Sequence, residues 1–310
     1  MTKSRTREHH LSTQEAGTLM RRATYAAVVV AIVLISLKAA AYQATGSVSM
    51  LGTLLDSVLD ASASLVNLFA VHFALQPADE EHRFGHGKAE ALAGLGQAIF
   101  VFASAVFILV QASRHLLNPE PITQSLMGIG VIIVTILLTL GLVLFQRYVV
   151  ARTNSLAIEA DSLHYKGDLL MNFTVLVAFI LAGYADLAWA DAVFALFIAA
   201  FLARSAWLIV KGALHQLMDQ EISDDDRERI KEIAVTWPGS KGIHDLRTRA
   251  SGADLFIQFH LELDPTLSLL EAHRIADGLE KKLMRTFSAS EVLIHQDPLG
   301  VEKISEFQRS

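Results

Sequence analysis

Six long apolar segments constrain this chain of 310 residues more than any other feature. A helix needs roughly 20 mostly apolar residues to cross the hydrocarbon core of a bilayer. Hydrophobic residues make up 52% of the chain, which exceeds the share that is usual in soluble domains. We therefore predict a multi-pass α-helical membrane protein embedded in a lipid bilayer. The predicted spans cover residues 22–43, 48–75, 89–113, 125–146, 156–182 and 187–210.

The charged residues predict a second, soluble part at the C-terminal end. Residues 221–310 hold 29 of the 58 charged side chains. Helix and strand patterns follow one another there in the order αββαβ, which is typical of a small α+β domain. The helices are predicted at 222–236 and 267–286, and the strands at 243–249, 254–263 and 290–298.

The predicted organisation has four parts, and basic residues orient it in the membrane. Lys and Arg concentrate in the N-terminal tail and after the second and fourth spans, whereas the alternate loops carry almost none. The positive-inside rule therefore predicts that both termini are cytoplasmic. The parts are a cytosolic tail (1–21), a transmembrane domain (22–211), a cytosolic domain (212–300) and a C-terminal tail (301–310).

Composition excludes several classes of function. The chain has no cysteine, so disulfides and thiolate metal sites are excluded. The net charge is −6 and no basic stripe is present, so no nucleic acid is expected as a partner. Lys38 lies inside the first predicted span near its outer end, and its side chain is expected to extend to the membrane interface.

Ionisable residues at helical spacing lie inside two of the predicted spans. Asp56 and Asp60 are four residues apart in the second span, as are His164 and Asp168 in the fifth. A carboxylate at mid-membrane costs about 2.5–3.5 kcal/mol, so these groups require compensation. If the two faces meet, three carboxylates and one imidazole form a set suited to a divalent metal such as Zn²⁺. The alternative is polar groups that hydrogen-bond one helix to another.

Asp161 lies on roughly the same face of the fifth span, three residues before His164. Its side chain is expected either to support the metal ligands from outside the first coordination sphere or to lie at the cytosolic mouth. The charges of the four ligands suggest a mechanism. Three ionised Asp would keep a charge of −3 when the metal leaves, so metal and protons would compete for the same atoms. His164 is the natural proton acceptor, because the charge of histidine changes near neutral pH.

Two further groups of residues have the composition of metal sites. The loop after the second span contains Asp79, His82 and His86, a weak motif that solvated polar residues could also produce. The soluble domain carries four histidines on elements that are predicted to pack together, and their spread favours a metal site over isolated surface residues. They are His244, His260, His273 and His295, the last of which lies close to Asp297.

Five motifs together resemble the cation diffusion facilitator family over essentially the whole chain apart from the N-terminal tail. They are LLDSVLD, QPADEEHRFGHGKAE, DSLHYKGD, GIHDLRTR and LIHQDP. The resemblance implies six transmembrane helices, a metallochaperone-like cytosolic domain and a homodimer in the bacterial inner (plasma) membrane. It also implies export of divalent metal driven by inward proton flow. Zn²⁺ is then expected as the substrate and as a structural or regulatory ion, with Fe²⁺ or Cd²⁺ as further substrates and no organic cofactor.

The resemblance also implies roles for individual residues. The four ligands of the transport site are the residues already singled out inside the spans, and the loop residues would bind a second metal. Lys88 and Asp219 would form a charge interlock between the two domains. A two-metal centre at the dimer interface would use His244, His260, His273, His295 and Asp297, with Gln296 as an added ligand.

Two other functions are consistent with parts of the pattern. An intramembrane enzyme could use the Asp and His cluster, but a metalloprotease would require a helical H-E-x-x-H motif, which the sequence lacks. A membrane-anchored metal sensor would explain the soluble domain but not the acid pairs inside the membrane.

Overall fold

The computed structural model describes residues 13–46, 48–117, 126–182, 188–287 and 289–300. The predicted C-terminal tail and the first twelve residues of the predicted N-terminal tail lie outside this part. The chain divides into two compact units, one covering Ala16–Leu214 and the other beginning at His215. Six long helices come first in the chain, and the last of them extends to Leu217 in the second unit. They are α1 (Thr13–Thr45), α2 (Val48–Ala74), α3 (Lys88–Leu117), α4 (Leu126–Thr153), α5 (Leu156–Ala182) and α6 (Ala188–Leu217).

Five of these helices are long and apolar enough to cross a membrane. All of the six except α5 meet that description within the described residues. Helix α5 is long enough, but Glu159, Asp161, Lys166 and Asp168 interrupt its apolar sequence. The helical membrane architecture is thus confirmed, whereas the sixth span remains a prediction that depends on how these charges are accommodated.

Helix α1 begins well before the predicted span at 22–43. It starts at Thr13, so part of the predicted tail is helical. Met20 is buried and packs in a core cluster with Val71 of α2 and Val149 of α4. Packing of one face stabilises a helix beyond its apolar stretch. The length of the apolar stretch alone therefore did not predict that α1 begins at Thr13.

Helix α5 lies at the centre of the first unit, in contact with α2, α3 and α4. A glycine allows one of these helices to approach closely. A Cβ atom added at Gly94 of α3 would lie 3.2 Å from the backbone carbonyl of Leu156, at the start of α5. On another side of α5, Leu163 and Ala160 share a core cluster with Leu202 of α6. This central position brings the polar residues of α5 against several neighbouring helices.

The second unit contains the predicted αββαβ order. Its elements are α7 (Asp224–Val235), β1 (Gly242–Ser251), β2 (Asp254–Leu263), α8 (Leu269–Thr286) and β3 (Ser290–Pro298). The strand β2 is central, antiparallel to β1 and parallel to β3. The hydroxyl of Ser223 caps α7, and Ser268 forms a capping box with Glu271 at the start of α8.

Strand alternation separates the apolar core of this unit from a polar face. Ile257, Phe259 and Leu261 of β2 are buried in one core cluster with Leu279 of α8 and Ile230 of α7. Successive side chains of a strand point to opposite faces of the sheet. The even-numbered residues of β2, which include a histidine and two acids, therefore lie on the face away from the helices.

Candidate metal centres

The structure brings three of the four predicted intramembrane ligands together. The Nε2 atom of His164 on α5 lies 2.9 Å from Oδ1 of Asp60 on α2 and 3.5 Å from Oδ2 of Asp168. One ligand atom from each of the three residues lies within 4.8 Å of the other two. The faces of α2 and α5 that carry these residues thus meet, which fulfils the condition for a metal site, and they form a group of one nitrogen and two oxygen donors.

The fourth predicted ligand, Asp56, lies close to this group but is not a member of it. Asp56 and the three clustered residues line one cavity of about 630 Å³ inside the first unit. Asp56 is also close enough to Asp60 for their charges to interact. A metal bound by the three clustered residues would therefore have a third carboxylate, that of Asp56, beside it in the same cavity.

Lys38 points into this cavity, which corrects the prediction that it extends to the membrane interface. Its Nζ atom donates to Oγ of Ser57 at 2.7 Å and to the backbone carbonyl of Thr53 at 3.1 Å. Both acceptors belong to α2, on which Asp56 also lies. The shorter of the two bonds is to Ser57, which is buried in the helical bundle, so the side chain is directed to the bundle rather than to the lipid.

Asp161 is almost completely buried and binds four helices together. Gln97 of α3 and Gln146 of α4 donate their side-chain amides to its two oxygens, at 3.1 Å and 2.6 Å. Ser64 of α2 also donates to the carboxylate, at 3.4 Å, and its hydroxyl lies 2.9 Å from that of Tyr165. We call these five residues the Asp161 network. Because Asp161 is only 1% exposed, it does not lie at an open cytosolic mouth.

The loop between α2 and α3 forms a second group of possible ligands. The two oxygens of Asp79 lie 3.3 Å from Nδ1 of His82 and 3.3 Å from Nε2 of His86. The backbone N–H groups of His82 and Glu81 also donate to Asp79. The bond from the backbone of His82 is the largest of the effects that lower the pKa of Asp79, so this carboxylate is an anion at neutral pH. His86 is buried against Phe73.

A third group lies on the polar face of the sheet in the second unit. The strand register pairs His244 with His260 and His260 with His295, so the three rings form one row across the sheet. Asp297 is buried beneath this row. Its carboxylate oxygens lie 2.7 Å from His260, 3.1 Å from His295 and 3.4 Å from His244. One ligand atom from each of His244, His260 and Asp297 lies within 4.8 Å of the other two.

Two residues implied for this centre are not in the group. His273 lies exposed on α8, and Gln296 lies on the face of β3 opposite to its neighbour His295 because strand side chains alternate. Conversely, Glu262 was not among the predicted residues, although its Oε1 lies 3.3 Å from Nδ1 of His244. His260 and Glu262 are two residues apart on one strand, so their side chains share a face of the sheet. This spacing could have predicted that Glu262 lies beside the histidines.

The implied charge interlock between Lys88 and Asp219 remains a prediction. Lys88 is the first residue of α3 in the first unit, and Asp219 follows α6 in the second. Within the second unit, Oδ1 of Asp219 lies 3.5 Å from Nη1 of Arg249.

Comparison with known proteins identifies the family. Residues 24–218 match the family described as cation efflux transmembrane domain, and residues 222–299 match the cytoplasmic domain of cation efflux proteins. The cation-efflux pump FieF of Cronobacter sakazakii (strain ATCC BAA-894) is 47% identical over 293 residues, which cover 94% of this chain and 97% of that pump. The FieF pump of Yersinia pestis (strain Pestoides F) is 48% identical over 282 residues, which cover 91% and 94%.

These relatives are transporters, which sets the intramembrane-enzyme alternative aside. The resemblance that the sequence motifs carry is confirmed over both units. The chain belongs to the cation efflux family of multi-pass membrane transporters.

Proposed function

We propose that this protein is a proton-coupled exporter of divalent metal, with Zn²⁺ as its principal substrate. The observation that carries the proposal is the group of Asp60, His164 and Asp168, which come together in a cavity enclosed by apolar helices. One imidazole and several carboxylates suit Zn²⁺, and Fe²⁺ and Cd²⁺ are further candidates for the same donors. We assign Asp56 as the fourth ligand, because it lines the same cavity.

Of the five residues of the Asp161 network, Tyr165 lines the cavity and the other four do not. The cavity extends to Lys38 and Thr53, in the halves of α1 and α2 that are predicted to be external. On α2 and α5, Ser64 and Asp161 lie beyond the ligands toward the predicted cytoplasmic side. We therefore assign the structure to an outward-open state of an alternating-access cycle, with the Asp161 network closing the cytoplasmic side.

Charge balance supports the coupling to protons. Three ionised aspartates and a neutral histidine attract a divalent cation strongly, and an empty group of this charge is costly inside a membrane. Protons and metal compete for the same oxygen and nitrogen atoms. Protons that enter from outside would thus displace the metal and allow the empty site to return to the cytoplasmic side.

The other two groups extend the proposal to the cytoplasm. We assign Asp79, His82 and His86 to a loop metal site, and the His244, His260, His295 and Asp297 group to a regulatory metal site at the interface of a homodimer. Metal at the second site would bias the conformational equilibrium of the transporter, which is a two-state coupling. His273, Gln296 and the interlock of Lys88 with Asp219 remain part of this proposal on resemblance alone. The expected location is the bacterial inner membrane with both termini cytoplasmic.

The test is uptake of Zn²⁺ into proteoliposomes with an acidic lumen. The wild type is compared with Asp60→Ala and His164→Ala, which each remove one clustered ligand. Glu159→Gln is the matched control, because Glu159 is an exposed acid on the same helix as His164. We expect wild type and control to take up Zn²⁺ in proportion to the pH gradient and both ligand variants to be inactive.

The outcome shows whether Asp60 and His164 take part in transport or only hydrogen-bond one helix to another. Transport by correctly folded ligand variants at the wild-type rate would mean that the group only joins α2 to α5. Wild-type uptake that ignores the pH gradient would contradict the proton coupling but not the metal site.

A further inference from the structure

Lys38 is a cationic side chain inside the cavity that would hold the metal. Its ammonium group interacts electrostatically with all three carboxylates of the cavity, those of Asp60, Asp168 and Asp56. Two hydrogen bonds hold it to Ser57 and Thr53, which lie three and seven residues before Asp60 on α2, toward the predicted external end of that helix. A lysine that merely extended toward lipid headgroups would not form this pair of contacts with a neighbouring helix.

The charges around the cavity balance only when Lys38 is included. The three aspartates carry −3, a divalent ion supplies +2 and Lys38 supplies +1, so the loaded group is neutral. Without Lys38 the loaded group would keep a charge of −1 among apolar helices, where an uncompensated charge is costly. A monovalent ion in the same group would also leave a net charge, so the balance favours divalent cations.

We propose that Lys38 is a charge-balancing residue of the transport site, which weakens metal binding enough for release to the external side. This inference rests on the proposed transport function. The ammonium group repels the bound metal, and its partners lie on the external side of Asp60, where it remains near the carboxylates as the metal departs. It acts on the metal through its charge and is not a ligand, because an ammonium ion has no lone pair to donate.

The inference predicts an unusual direction of effect. Lys38→Gln removes the positive charge but keeps a polar side chain, so the remaining negative charge holds Zn²⁺ more tightly. We expect the dissociation constant of the transport site to fall on the order of tenfold or more, since two charges in one cavity of low dielectric interact strongly. Release then limits the cycle, so KM and the maximal rate of transport both fall. Lys38→Arg retains the charge and is the matched control.

The experiment measures Zn²⁺ binding and transport with the same full-length protein. Isothermal titration of wild type and Asp60→Ala identifies the binding component that depends on the intramembrane ligands. That component is then compared in Lys38→Gln and Lys38→Arg, and KM and maximal rate are measured in proteoliposomes. Lys38→Met, which keeps the apolar stem, provides the same comparison if Lys38→Gln is not obtained as a monodisperse protein.

Tighter binding with slower transport in Lys38→Gln, and behaviour near wild type in Lys38→Arg, would support the inference. Unchanged affinity in Lys38→Gln would overturn it, as would equal weakening in both variants, which indicates a purely structural role. If the wild type binds and transports Zn²⁺ and Lys38→Gln does so with the same affinity and rate, the inference about Lys38 is wrong but the proposed function stands. Absence of Zn²⁺ transport in the wild type would contradict the proposed function itself.

Discussion

The side-chain amide of Gln146 on α4 lies 2.6 Å from the carboxylate of Asp161 on α5, and both residues are buried. This contact is the shortest that joins the Asp161 network. Each carboxylate oxygen accepts from a different helix, since Gln97 of α3 donates to the other one. A buried carboxylate satisfied in this way fixes the relative positions of the helices that supply its donors.

Asp161→Asn is therefore expected to destabilise the helical bundle. The new amide group turns a donor toward the amide of Gln97 or Gln146, and one buried donor then lacks an acceptor. Such a loss costs about 1–3 kcal/mol. The thermal unfolding temperature of the purified protein in detergent measures the effect, with the exposed acid Glu159→Gln as the control. An unchanged unfolding temperature in Asp161→Asn would show that the network does not hold the helices together.

Gly94 and Gly96 of α3 provide a second, internally controlled test of the packing around α5. A Cβ atom at Gly94 would meet the backbone of Leu156 at 3.2 Å, whereas one at Gly96 meets nothing within 4 Å. Gly94→Ala should destabilise the protein by about 1–3 kcal/mol, because α3 must move away from α5. Gly96→Ala should be neutral or stabilising by up to about 1 kcal/mol through helix propensity. Thermal unfolding of both variants measures the difference, and equal effects would contradict close packing at Gly94.

The main architecture was predictable because its signals lie within short stretches of sequence. Apolar length indicated the helices, and alternation indicated the strands of the second unit. The four-residue spacing of Asp56 with Asp60 and of His164 with Asp168 indicated that each pair shares one face. These signals depend only on local geometry, so they do not require knowledge of which elements become neighbours.

The remaining features depend on contacts between distant segments. Gln97 and Gln146 are neutral, and nothing in their spacing connects them to Asp161. The direction of Lys38 follows from the position of α2, and an isolated span gives no information about it. The family resemblance implied Gln296 as an added ligand beside His295, although adjacent residues of a strand point to opposite faces. In each case the deciding quantity is the position of a partner that lies far away in the sequence.

Neutralising two acids of the second unit, Asp254 and Asp264, should change the stability of that unit in opposite directions. Burial, followed by the charge of Glu291, raises the pKa of Asp254. The side chain and backbone of Thr266 donate to Asp264 and lower its pKa. When the carboxyl pKa is higher in the folded state, the free energy of unfolding falls as pH rises from the unfolded-state pKa, about 3.9, through the folded-state pKa. The loss of stability is therefore complete at pH 7. A lowered pKa contributes stability that is present at pH 7 and lost as pH falls through the folded value.

Asp254→Asn should therefore slow hydrogen exchange in β1 and β2 of the full-length protein at pH 7, and Asp264→Asn should accelerate it. The gain for Asp254 is expected to stay below about 1 kcal/mol, because the residue is partly exposed and solvent screens its charge. Exchange measured by mass spectrometry resolves these strands from the membrane helices. Changes of the same sign in the two variants would contradict the assigned electrostatics.

Asp297 should be indispensable for metal binding on the sheet, because its one carboxylate contacts all three histidines of the row. Asp297→Asn is expected to abolish the protection from hydrogen exchange that Zn²⁺ gives to β1 and β3, while the loop at Asp79 keeps its own protection. Glu262→Gln should weaken Zn²⁺ binding at the sheet by about 10–100-fold, since Glu262 contacts His244 from outside the row. Glu291→Gln is the matched control, an acid-to-amide change on the same face of β3. If Zn²⁺ protects the strands of Asp297→Asn as fully as those of the control, the row of histidines binds metal without this carboxylate and the assigned centre is wrong.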